Sequence, residues 1–531
     1  MISVRQLKNS TAACVIAGAA AWLAATPASA YTNTNVVKQV HHDTSPPLRE
    51  MIRLYAQQHP GGDGNSQPFV IPVKPLPLPK QPLQRDGIRG SGELPNPVTT
   101  TDLLNFDGIS VLCGCAPPDT NGAVGATQYV QWVNLQFAIY DKTSGSLISG
   151  PTNGNALWSG FGGACQNNNS GDPIAQYDKA AGRWVMMQPV FASPYYLCVA
   201  VSQTSDATGS YNRYAFQMPA NSDFPDYPKL GIWPATSNQG YFLTANIFQN
   251  GSNFIGAMLI ALDRANMLNG NAATMQYHQL SSSYGGVLPA DFDGSTLPPS
   301  ASQVEDFVNF GSNVVNFWQA FVDFQNPQNT TWNGPTTISV PSFTRLCFSG
   351  CVPQGSTTQK LDALGDRMMY RLAYRNLGDH ESLVTDHSVS VNTRGAVRWY
   401  EFRNAVSPVL YQSGNVKNRS LWYWMGSIAM DKMGDIAVGY SDSSSTVHPG
   451  INYSGRTPGQ TLGKIAKHAG GNTYTGNGSE TGGLSRWGDY SAMSMDPSDD
   501  CTFYYTTEYI PSNGSFNWHT RINSFKFNTC S

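Results

Sequence analysis

Five aspartates stand in matching positions along this 531-residue chain: Asp119, Asp172, Asp226, Asp366 and Asp489. Each comes at or just before a short alternating apolar run, as in DPIAQYD from Asp172, DYPKLGIW from Asp226 and DYSAMSMD from Asp489. If those runs are strands around a common axis, the five carboxylates form a ring at its mouth. Like charges held that close repel, so some must take up protons unless a cation or donor groups intervene.

Three chemistries suit such a ring. Asp119, Asp172 and Asp226 are candidate ligands for a hard, oxygen-seeking ion such as Ca²⁺. Asp172, Asp489 and Asp366 are candidate catalytic groups, since glycoside hydrolysis needs two carboxyls about 5 to 9 Å apart. Binding without turnover is the third, with Asp119, Asp226, Arg367 and Arg486 gripping a sugar and Trp487 and Tyr490 stacking on it. A purely structural reading competes with all three. A repeated aspartate at a strand start accepts bonds from its own loop, and Arg367, Arg486 and Lys229 lie within three positions of members of the set.

The histidines offer less. His387, Tyr490 and Arg486 could carry β-elimination from a uronic acid sugar if the fold brings them together. His519 in NWHTR is a further candidate, the pair His41-His42 resembles a surface metal contact, and DPSDD at Asp496–Asp500 could bind Ca²⁺, although as a hairpin turn it needs no ion. Metalloprotease, α/β-hydrolase and nucleotide-binding motifs are absent from fitting contexts.

The elements that must position these groups repeat. Segments from Asp172, Asp226, Asp366, Met425 and Asp489 each read as strand, turn, strand, with DTNGAVGATQYVQWVNLQFAIYD from Asp119 a looser copy. A seventh copy lies between Asp291 and Phe343, where NVVNFWQAFVDF is the clearest strand. Each pair is followed by further strands such as YYLCVAVSQ, GAVRWYEFR and TRINSFKF. A hairpin that cannot bury both faces must stack on its copies, and radial stacking of four-stranded units gives a β-propeller with few exposed edges. The expectation is an all-β fold of seven blades, closed by an N-terminal strand at Asn105–Ser110 in the last blade. Two separate β-sandwiches are the rival.

PPDTNGAVG, GDPIAQYD, RWVMMQ, DYPKLGIW, DRMMYRLAYRN, GSIAMDKMGDIAVGYS and RWGDYSAMSMDPSDDCTF resemble a group of large secreted bacterial propellers, sialidase-like in fold. The resemblance covers nearly all of Asp102–Cys530 and implies architecture and export, with no settled activity. The sialidase Asp-box, Ser-x-Asp-x-Gly-x-Thr-Trp, is absent, and no arginine triad for a sialic acid carboxylate can be placed. Sialidase activity is therefore not implied.

Residues 1–30 read as a signal peptide: Arg5 and Lys8, an apolar run from Ala12 to Ala25, then Pro27-Ala28-Ser29-Ala30. Its loss leaves 30 basic against 35 acidic residues, a net charge of −5 that does not attract a polyanion. Residues 31–98 read as an extended Pro/Gly-rich arm and 99–531 as the propeller. Charged residues make up only 13% of the chain and aromatics 11%, which suits short strands and many turns. Eight cysteines outlast the leader, and an even number in an oxidising compartment favours disulfides. The expected pairs are Cys165–Cys198, Cys347–Cys351 and Cys501–Cys530, leaving Cys113 with Cys115, for which a metal-binding pair is the alternative. The whole reads as a secreted or periplasmic monomer with no membrane span and no nucleic-acid partner. It binds a glycan, hydrolysing it in one variant of the reading; a non-catalytic adhesion or scaffold module and a polysaccharide lyase are the alternatives.

Overall fold

The computed structural model describes residues 35–59, 68–77, 84–88, 96–470 and 473–531. The expected signal peptide lies outside them. The described chain is strand-rich, with helices limited to short pieces.

Antiparallel meanders follow one another in chain order. The first uses Thr120–Val124, Gln128–Val133, Gln136–Asp141 and Leu147–Asn153. The second starts at Ile174–Asp178, the third at Asp223–Pro234 and the fourth at Leu288–Asp293. The fifth starts at Met369–Asn376, the sixth at Trp422–Met430 and the seventh at Ala492–Met495. The leading strands of the fourth and fifth run parallel, Ala290–Asp293 opposite Leu372–Arg375, so those two meanders join into one sheet. The fourth was expected to open at Asp291; its strand begins at Leu288, which puts Asp291 inside it.

Closure decides the architecture. Each leading strand touches the next in chain order, and Ala492–Met495 touches Thr120–Val124. Two sandwiches would not make that circuit. The leading strands are almost wholly buried. Between sheets the core is rich in aromatics: Trp132, Trp184, Trp233, Trp399 and Trp424 are fully buried. This is the plan of a β-propeller.

The ring is also fastened end to end. Thr100–Ser110 pairs with His519–Phe527 as the outermost strand of the seventh meander, with Phe106 opposite Ile522. The expected N-terminal strand is therefore present and longer than Asn105–Ser110. Cys501–Cys530 ties the same meander, and Cys165–Cys198, Cys347–Cys351 and Cys113–Cys115 are also bonded. The last pair is a disulfide, not a metal-binding pair.

The described residues of the arm cover sheet edges. Asn35–Lys38 adds a fifth strand to the third meander and His41–Thr44 a fifth to the second. Such additions blunt edges that would otherwise template aggregation. The His41 ring rests on Phe161 and the His42 ring on Tyr214. The helix Leu48–Gln58 then inserts Leu48 and Met51 into the core beside Trp132 and Trp158. No helix among the described residues is long and apolar enough to cross a membrane.

Cys501–Cys530 closes a loop across a separation of 29 residues. Loop-closure entropy gives such a link about 3–4 kcal/mol. The double variant Cys501→Ser/Cys530→Ser should lower the melting temperature by several degrees in calorimetry, and an unchanged melting temperature contradicts its fastening role.

Candidate functional site

The turns that lead into the first strands are built alike. Asp119, Asp172 and Asp489 adopt left-handed backbone, with φ of 48°, 47° and 61°, and Tyr227 and Met425 do so in the third and sixth meanders. Aspartate tolerates this conformation because its short side chain bonds locally, which accounts for part of the repetition in sequence.

Asp119, Asp172, Asp226 and Asp489 lie within reach of one another, but behind a closed door. None of the five repeat aspartates is more than 8% exposed. Asp119 is hydrogen-bonded to Asp172, and burial together with the charges of Asp489 and Asp172 pushes its carboxyl well above the usual range. The Asp119 carboxyl therefore takes up a proton more readily than an exposed one. Asp172 Oδ2 also accepts from the Tyr227 amide at 2.9 Å. Burial and the Asp172 charge push Asp226 up to about 7, against the pull of Lys74 and Arg367.

Cations of the chain itself answer the remaining charge. Arg486 reaches both oxygens of Asp489 at 2.6 Å, and Arg367 Nε donates to Asp366 at 2.9 Å. Lys229 lies between the rings of Tyr227 and Tyr490, 3.7 and 3.8 Å from their centroids, a cation–π sandwich. Burial brings its amine down to about 7 although Asp172 and Asp119 favour the charged form. Among the described residues no group of three His, Cys, Asp or Glu is arranged to hold a metal ion. Asp119, Asp172 and Asp226 are thus not grouped as metal ligands, and lysine and arginine stand where a cation was expected.

The door is the arm. Phe69–Val70 pairs in parallel with Cys115–Ala116, and the Ile71 amide donates to the Ala116 carbonyl at 2.7 Å. Arg486 Nε then donates to the Ile71 carbonyl at 3.0 Å, Arg367 to the Lys74 carbonyl at 2.9 Å, and the Leu76 amide to Asp366 Oδ2 at 2.9 Å. Lys74 stands 4.0 Å over the Phe224 ring. Arg367 and Arg486, expected to hold a ligand, and Asp366, expected to be catalytic, hold this peptide strap.

Other expected roles are filled differently. Trp487 is wholly buried beside Trp424 and donates to Ser441, so it offers no face to a sugar. Tyr490 is buried too, packed on Tyr227. His387 is stacked among Phe310, Phe343 and Tyr400 and bonded to the Tyr400 hydroxyl, a place apart from Tyr490 and Arg486, so the elimination trio is not assembled. His519 packs against Tyr509. Asp496 pairs with Lys142, and Asp499 accepts from the Cys501 and Thr502 amides, as a turn requires.

The other end of the channel is open, and of its lining residues only those of the DPSDD turn, Asp496–Asp500, were singled out in the sequence. Arg371 binds Asp291 at 2.7 Å and Asp293 at 2.5 Å, and Lys179 also pairs with Asp293. Burial and the Arg371 charge lower the Lys179 amine to about 7. Further out, Arg375 makes a two-pronged bridge to Asp500 at 2.6 and 2.7 Å and donates to the Met430 carbonyl at 2.8 Å. Above this network lies a cavity of about 580 Å³, lined by Lys179, Phe292, Gly294–Leu297, Arg375–Leu377, Lys432 and Pro497–Asp500. A signal for it existed: Arg371 and Arg375, and Asp291 and Asp293, fall on one face of their strands at even spacing.

No protein family matches the chain, and no curated protein matches it. Among solved structures, the WD40 domain of SCAP from fission yeast is similar over 76% of this chain and 82% of that one, at 7% identity and TM-score 0.33. A Hadza microbial sialidase is similar over 78% and 75%, at 11% identity and TM-score 0.34. The endo-arabinase of Bacteroides thetaiotaomicron is similar over 55% and 95%, at 13% identity and TM-score 0.27. Likeness this low says nothing of activity, and the fold rests on the strand pairing above.

Asp226 carries a pH dependence. Its folded pKa, about 7, lies above the ordinary 3.8, so its contribution is fully present below pH 3.8 and is lost as pH rises toward 7. Asp226→Asn removes that loss. The melting temperature of the variant should gain on the wild type from pH 4 to pH 7; a constant difference across that window contradicts the assignment.

Proposed function

We propose that the protein is a secreted, seven-bladed β-propeller that binds a glycan in the cleft at the open end of its channel. The leader-like start, the four disulfides and the resemblance to secreted propellers support export. The circuit of leading strands supports seven blades.

The observation that carries the ligand class is the cleft itself. Its size falls within the small-ligand range of about 300–1,000 Å³. Most lining side chains are polar, while Leu297, Leu377 and Pro497 add apolar patches. Polar groups at its floor are fixed in advance: Arg375 by Asp500 and the Met430 carbonyl, Asn376 by the Leu297 carbonyl at 2.8 Å. Fixed donors and acceptors of both signs with small apolar patches suit a polyhydroxylated ring with alternating hydroxyl and C–H faces. Binding rather than turnover is the reading here, because the nearby carboxylates are committed: Asp500 to Arg375, Asp293 to Arg371 and Lys179. Hydrolysis by Asp172, Asp366 and Asp489 would require the strap to leave the closed end.

Glycan-array screening followed by calorimetric titration of the full chain tests this. Removing a charged hydrogen-bonding group costs about 1.5–3 kcal/mol, so Arg375→Met should weaken binding about ten- to hundredfold. Asp172→Asn, at the closed end, should leave affinity unchanged. Absence of binding to any glycan overturns the reading, as does loss of binding in Asp172→Asn alone.

A further inference from the structure

Beside the open-end cleft a second cavity, about 310 Å³, lies between the fifth and sixth meanders. Leu377 and Lys432 line both cavities, so the two lie side by side with these side chains between them, and the second is the outer one.

The outer cavity has its own recognition chemistry. Tyr411 is 40% exposed on the outer strand Val409–Val416, with the Arg403 guanidinium 3.4 Å from its ring centroid. Arg403 is held in turn by Glu401 at 2.7 Å. Glu401 also accepts from Ser382 at 2.9 Å and Gln412 at 2.5 Å, so the platform stands on a braced network. Arg456 lines the same cavity; it is 3% exposed, and its Nε has no hydrogen-bond partner among the described residues. A buried donor without a partner is costly unless a ligand or water meets it.

We propose that the ligand is an extended glycan chain, with one unit in the axial cleft and at least one further unit stacked at Tyr411 within reach of Arg456. This rests on the glycan reading above and deepens it. A sugar lays its C–H face on an aromatic ring and turns its hydroxyls to charged groups beside it, the pairing that Tyr411 and Arg456 offer. A single sugar fills one cavity only; a chain is needed to fill both.

The test is calorimetric titration of the full-length protein with the disaccharide and the hexasaccharide of arabino-, xylo- and galacturono-oligosaccharide series. In the series that binds, the hexasaccharide should bind at least about tenfold more tightly than the disaccharide, the scale of one good aromatic contact. Tyr411→Ala should abolish that advantage and leave the disaccharide affinity unchanged, while Tyr411→Phe retains the advantage. Arg375→Met should weaken both ligands. Equal affinity for the two lengths in the wild type, or a length advantage that survives Tyr411→Ala, overturns the extended ligand and leaves the axial site standing. Binding of none of the oligosaccharides or their parent polymers overturns both.

Discussion

Closing a ring of strands forces charged side chains into one narrow, buried axis. Every leading strand presents alternate residues to that axis, where they face copies of themselves from neighbouring sheets. Unit charges 4 Å apart interact by about 4 kcal/mol at an effective dielectric constant of 20. Unbalanced, a few such pairs would exceed the net stability of an ordinary domain, about 5–15 kcal/mol. The molecule meets the constraint by pairing: Arg486 with Asp489, Arg367 with Asp366, Arg371 with Asp291 and Asp293. Where no ion pair forms, as at Asp119, burial and the charges of Asp489 and Asp172 raise the carboxyl well above its ordinary range, which favours its neutral form.

That solution makes the two ends of the channel unlike. At the strand starts the aspartates need donors, and the peptide strap supplies the Leu76 amide to Asp366 while its Ile71 and Lys74 carbonyls take up Arg486 and Arg367. Charge balance and occlusion are the same set of bonds. At the strand ends the pairs sit deeper and leave space above them, bordered by the fifth and sixth meanders. Ligand access and charge burial are thereby separated along one axis. The cis-held strap also explains why so many groups suited to ligand binding are clustered where no ligand can enter.

Much of this was legible in the chain. The strand-turn-strand phrase located the leading strands and brought Asp119, Asp172, Asp226 and Asp489 to one place, Asn105–Ser110 read as the closing strand, and proximity along the chain matched the cysteines. Three things escaped. Alternation tells which residues share a face of a strand, but not whether that face meets the axis or a neighbouring sheet, so it does not mark Arg371 and Arg375 as facing the channel; nor does residue type show that Trp487 is buried. The strap has no periodicity, because prolines break it up, and its bonds join residues some 290 to 415 positions apart. His387 looked reactive by type, yet burial and the charges of Arg398 and Arg345 hold its pKa well below the ordinary value, leaving a neutral ring in the core.

The central claim is that the chain's own strap closes the aspartate end and leaves the opposite mouth as the entrance. Amide hydrogen exchange of the full-length protein tests it most directly. The amides of Phe69, Ile71 and Leu76, each bonded to the ring face, should be protected to a degree comparable with the leading strands. Exchange of those three at the rate of a free peptide would contradict the claim, because the aspartate end would then be open.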